Sequence, residues 1–257
     1  MALQLSHAVS DGIRRTLTRT GGLLLVGLFA IQIGLQVSVN SALLGFLPPE
    51  IAEQFRSNTG LALPISGRVG LALFVVLTVL SSTYFVILSR TLAQPRSEMS
   101  TFPAAVTRRL GRATGIALVG GLIVSVSILI GTILLLFPGL FLAASFLFFI
   151  FAVAVEDLGL VGSLQRSWAL ARGSRLKLGL LVVASALFGG FIGAVGPLLD
   201  LAGASVAADV VTSALTAVFF LPYYAIIASA YRQLRDEQTG PGGSTSGTAD
   251  ATRVPEL

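Results

Sequence analysis

Charge is what this chain has least of. Only 11% of its 257 residues are Asp, Glu, Lys or Arg, against about 25% in an ordinary soluble domain. So few charges cannot coat a water-facing surface. With 54% apolar residues and a mean hydropathy of +0.88, lipid must be the main solvent. Cysteine is absent, which excludes disulfides, thiol catalysis and thiolate metal sites. His7 is the only histidine, too little for a His-based metal set or triad, and no Gly-rich run ends in the Lys-Ser/Thr of a nucleotide cradle. No cofactor is therefore expected. Lys177 is the only lysine beside sixteen arginines, a bias that suits a GC-rich prokaryotic genome.

The longest absence runs from Ala113 to Val155, 43 residues without a charge. As one helix it would reach roughly 65 Å, about twice a ~30 Å hydrocarbon core. Phe137-Pro138-Gly139 is its only interruption. Pro lacks a backbone donor and Gly tolerates a sharp turn, so a helical hairpin folded at Pro138-Gly139 is expected. The second arm, Leu140–Val155, is then only about 24 Å long as a helix. Either the turn lies below the membrane surface, or Glu156-Asp157 are drawn inward by the basic segment. The former is expected, with the turn packed against neighbouring helices because its free backbone groups cannot face lipid.

The predicted fold is all-α, a polytopic membrane protein with six transmembrane helices. Their spans are about 22–44, 69–92, 114–136, 140–155, 178–199 and 207–231, within a domain of residues 21–235. Residues 1–20 read as an amphipathic interfacial helix with Arg14, Arg15 and Arg19 on its wet side. Pro48-Pro49 ends the first span before a short polar connection. Residues 95–112 form a second basic interfacial segment, and Leu160–Lys177 a third amphipathic stretch. Residues 236–257, rich in Gly, Ser and Thr, read as a disordered tail. The apolar stretch after Arg19 runs without charge to Glu50, too long for the ~7–15-residue core of a signal peptide. No internal repeat supports two inverted halves.

Six spans put every basic residue except Arg56 and Arg68 on one side, fifteen against two. By the positive-inside rule both termini are cytoplasmic, in the plasma membrane of a prokaryote. The net charge of +5 then serves topology and anionic headgroups rather than nucleic acid.

Few residues could carry chemistry. Gln32, Gln36 and Asn40 recur every fourth residue on one face of span one. Amides in hydrocarbon need partners, so this stripe either lines a polar cavity or bonds helix to helix. Asp200 and Asp209 flank the connection between the last two spans, where carboxylates either solvate and cap or hold a cation. Gly189, Gly193 and Gly196-Pro197 offer small-residue packing or a hinge, and Pro197 and Pro222 are expected to kink or break their helices. Trp168, between Arg166 and Arg172, suits a headgroup-level anchor.

Around the hairpin the sequence resembles a known family. Phe137-Pro138-Gly139-Leu140, Val155-Glu156-Asp157-Leu158-Gly159, and Ser163 through Ser167-Trp168 to Gly173 are similar to the membrane domain ahead of some glycerophosphoryl diester phosphodiesterases and to related uncharacterised bacterial and archaeal proteins. Tyr231 to Arg235 is similar too. The pattern positions here are Pro138, Gly139, Glu156, Gly159, Ser167, Trp168 and Gly173. The resemblance implies architecture, not activity, because the phosphodiesterase chemistry belongs to a separate soluble barrel. The expected function is a non-enzymatic membrane-embedded accessory or scaffold unit on anionic lipid, with a protein partner of unspecified kind. The alternative is a small-molecule or lipid transporter or flippase along Gln32, Gln36 and Asn40.

Overall fold

A computed structural model describes residues 4–57, 59–94 and 108–239. Most of the predicted 95–112 segment and most of the tail fall outside them. Ten helices and no strand occur among the described residues. Counting the segmented stretch Leu136–Val155 as one, six helices are long and apolar enough to cross a membrane. All-α architecture is thus what the hydropathy requires, since only helices satisfy their own backbone in lipid without closing a barrel.

Helix α1 (Leu5–Thr16) is followed by α2 (Arg19–Phe46). Thr18 caps α2 by accepting from Gly21 N at 3.0 Å. Leu47 is extended before Pro48, as the residue preceding a proline prefers, and ends the helix. The short polar connection then folds into a helix, α3 (Pro49–Ser57). Pro49 occupies its first position, where the missing N–H costs nothing. Helix α4 (Gly67–Ala93) returns antiparallel to α2: Gly27 lies against Tyr84, Gly34 against Leu77 and Gly45 against Gly67.

The hairpin differs from its expected form. Helix α5 (Leu110–Leu134) stops at Leu135, whose φ of −161° and ψ of 139° make the turn, and α6 (Leu136–Phe146) starts at once. Pro138 is the third residue of α6, a place in the first turn where no intrahelical donor is needed. Gly139 does not bend the chain; it lets the arms touch, its Cα 3.1 Å from a Cβ built on Gly131. Moving the turn to Leu135 lengthens the second arm to 20 residues, Leu136–Val155, about 30 Å, so it is not short. Nor is the turn packed against other helices: Leu134 to Phe137 are 67% to 81% exposed. The second arm breaks at Leu147-Phe148 before α7 (Phe149–Val155).

Helix α8 (Leu160–Ala171) leads through Gly173, whose φ of +90° favours glycine, into α9 (Arg175–Leu201). Helix α10 (Ser205–Thr239) closes the fold and carries residues 236–239 as helix, where a disordered tail was expected. Neither Pro197 nor Pro222 ends its helix; both lie inside. Each removes one backbone bond, and the remaining ladder together with the α9–α10 contact, Phe188 stacked on Phe219 at 4.9 Å, carries the helix through.

The core joins α2, α4, α7, α9 and α10. Phe151 stacks between Tyr224 (5.2 Å) and Tyr231 (5.3 Å), with Leu28, Leu88, Leu178 and Leu221 buried around them. The start of α2, the end of α4, the start of α9 and the end of α10 therefore share one end of the bundle. That end bears Arg19, Arg90, Arg175 and Arg235, and is called here the basic end.

Candidate functional site

At the opposite end the amide stripe binds a loop. Asn40 is buried and donates through Nδ2 to Leu61 O (3.0 Å) and Asp209 Oδ2 (3.3 Å), while Leu61 N donates to the same carboxylate oxygen at 2.7 Å. Ser41 Oγ accepts from Leu63 N at 2.8 Å. Gln36 is exposed and reaches Asn40 Oδ1 at 3.4 Å; Gln32 is half-buried with no further role visible. Asp209 thus acts as a clamp that pins the 59–66 loop to α2 and α10. Asp200 is exposed.

The basic end is knitted by charge. Arg15 is only 2% exposed, so it is not on a wet face as its amphipathic helix suggested. Its guanidinium donates to Asp11 (2.9 Å), Leu92 O (3.2 Å) and Gln94 O (2.7 Å), capping carbonyls at the end of α4. Arg232 also pairs with Asp11, so one carboxylate joins α1 to α10. Gly12 allows this docking: a Cβ there would lie 2.8 Å from Ile226 N. The Asp11 carboxyl is held below its ordinary value of 3.8. Burial pushes it upward, but the hydrogen bond and charge of Arg15, the charge of Arg232 and a hydrogen bond from Ser229 outweigh that effect.

Arg90, in the last turn of α4, is 8% exposed and donates to Ala154 O and Arg108 O, both at 2.7 Å. Glu156 accepts from Arg166 Nε at 2.8 Å and from the Tyr231 hydroxyl at 2.7 Å. The structure therefore brings together Glu156 and the Tyr231–Arg235 ending, which the sequence pattern had only grouped. Asp157, at φ +55°, pairs with Arg109 at 3.7 Å. Ser167 repairs the break in the hairpin's second arm: its Oγ accepts from Phe148 N (3.2 Å) and donates to Ser145 O (2.9 Å). Gly159 has a φ of −73° and open space at its Cβ, so nothing here requires glycine. The exposed His7 takes no part.

Beside this network lies a trough of about 620 Å³ between α6 and the start of α9. Phe137, Phe141, Leu180 and Val183 line it, and Arg175 and Lys177 sit at the same place. The Arg175 guanidinium lies 4.4 Å over the Trp168 ring and 4.6 Å over Phe141. Trp168 meets Phe141 edge-on at 5.5 Å. This indole is held in a protein stack. The Nε and Nη2 donors of Arg175 have no protein partner. Sequence reasoning missed this trough because Phe141 and Arg175 lie 34 positions apart; the lone Trp beside basic residues was the available signal.

Gly189 and Gly193 bring no second helix of the described chain into close approach. A Cβ on either meets nothing within 4 Å, and both line an apolar groove of about 340 Å³ with Phe188, Phe219 and Tyr223. Gly196 faces Thr212 at an ordinary 3.5 Å.

Helices of this length and apolarity, with charge gathered at one end, define a polytopic helical membrane protein. The chain belongs to the family described as domain of unknown function (DUF7847), whose family model matches residues 3–234. That description gives no link to glycerophosphoryl diester phosphodiesterases. No curated protein and no solved structure matches the chain.

Proposed function

We propose that this protein is a non-enzymatic, membrane-embedded accessory unit whose basic end holds anionic lipid and faces the cytoplasm. The carrying observation is the trough: apolar walls suited to an acyl chain, lined beside them by the cations Arg175 and Lys177, whose charge suits a phosphate. Arginine and lysine at one level attract anionic headgroups by about 1 kcal/mol each. The titratable groups support a structural use, since Asp11, Glu156, Asp157 and Asp209 each tie two elements together. A kinship with phosphodiesterase membrane domains fits the same reading, because Glu156, Ser167 and Trp168 serve architecture at this end. A transport path along Gln32, Gln36 and Asn40 draws less support, since Asn40 is committed to the 59–66 loop.

Lipids that co-purify with the chain in mild detergent test the proposal by mass spectrometry. Phosphatidylglycerol should be enriched over phosphatidylcholine, and Arg175→Gln with Lys177→Gln should remove that enrichment. Equal retention of both lipids by the unaltered chain would sink the reading.

A further inference from the structure

Among the described residues, the charge-free hairpin meets the rest of the molecule in one half of the bundle. Its first arm touches α4 through Thr114 and Thr83, at 3.2 Å between hydroxyls. Farther along, Gly120 lies against Phe149 and Leu160. Its second arm faces the start of α9 across the trough, with the Arg175 guanidinium 4.6 Å over the Phe141 ring. Phe148, in the break between α6 and α7, packs on Tyr231. All of these partners lie in the half of the bundle nearer the basic end.

A crossing hairpin would behave differently. Its tip at Leu135 would lie level with the far end of α9, near Leu201, about 39 Å from Arg175 by helix rise. Instead residues beside the tip lie at the start of α9, and Phe188, Phe191 and Leu198 farther along are half-exposed or more. The hairpin thus runs across the bundle axis rather than along it. An all-apolar helix cannot lie among headgroups, so its exposed Leu122, Val126, Leu129 and Ile133 must meet acyl chains.

We propose that the α5–α6 hairpin is immersed in a single leaflet, that of the basic end, so that four helices cross the membrane and this hairpin does not. The charge distribution agrees. Removing two crossings that carry no charge leaves the fifteen-to-two partition of basic residues unchanged. Arg108, Arg109 and Arg112 at its base, and Arg175 and Lys177 beside its tip, hold it at one depth.

Nitroxide labels on single cysteines test this cleanly, because the chain has no native cysteine. Labels at Leu122, Leu129 and Ile133 on α5 are compared with labels at Leu180, Leu187 and Leu198 on α9, all exposed positions. Depth is read from oxygen and nickel-chelate accessibility in phosphatidylcholine vesicles, so the result does not depend on binding anionic lipid. The α5 labels should lie within about 5 Å of one depth, while the α9 labels traverse the bilayer over about 27 Å. A depth change of about 16 Å from position 122 to 133, as a crossing helix would give, overturns the proposal. Any two α5 positions define the slope, so loss of one variant leaves the test intact.

Discussion

The two ends of the bundle are built on opposite plans. At the basic end, Asp11, Arg15, Arg90, Glu156, Arg166, Tyr231 and Arg232 join five helices through several charge-assisted bonds. At the other end a single carboxylate, Asp209, holds a loop with help from Asn40. One end is a redundant network of buried and half-buried cations; the other has one clamp. Charge is concentrated where the hairpin, α1 and α8 must all be docked, and it is sparse where a short loop only needs closing.

This contrast can be broken at either end. Arg15→Ala should have the largest effect. It leaves Asp11 paired with Arg232 alone and Leu92 O and Gln94 O without their charged donor, a loss of about 3 kcal/mol. Thermal unfolding in detergent should show it as a marked fall in Tm. Asp209→Ala should follow at about 2 kcal/mol, from two hydrogen bonds to a charged acceptor. Its signature is local: faster proteolytic nicking within 59–66 and little change at the basic end. Unchanged nicking would mean that Asp209 is no clamp. Ser167→Ala should remove about 1 kcal/mol by leaving Phe148 N and Ser145 O unpaired.

Acid should act on the basic end in a smaller step. The folded value of Asp11 is depressed, so its contribution is fully present at neutral pH and fades as pH falls below 3.8 through the folded value. Unfolding followed from pH 7 to pH 3 should lose this component in Asp11→Asn. Gln36→Leu should be nearly silent, within ~0.5 kcal/mol, as for an exposed position; a large loss would restore a buried polar role to the stripe.

Much of this fold is legible in the sequence, and the failures are local. Six apolar stretches are unmistakable because lipid demands them. The turn was misplaced by three residues because Pro138-Gly139 suits a first helical turn as well as a bend. Arg15 reads as a wet-side residue because amphipathic patterning assumes water on the charged face, whereas here carbonyls from α4 receive it. The Asn40–Asp209 clamp joins positions 169 apart, beyond any periodic signal. Ser167 stood in the family-like pattern, but its purpose, repair of a helix break 19 residues earlier, needs the fold to be seen.

The sole tryptophan, stacked on Arg175, tests the central claim that the basic end holds anionic lipid. Trp168 emission is recorded with the chain in nanodiscs of rising phosphatidylglycerol content in phosphatidylcholine. A saturable spectral shift that disappears in Arg175→Gln is the predicted result. Identical spectra at every lipid composition would contradict the account.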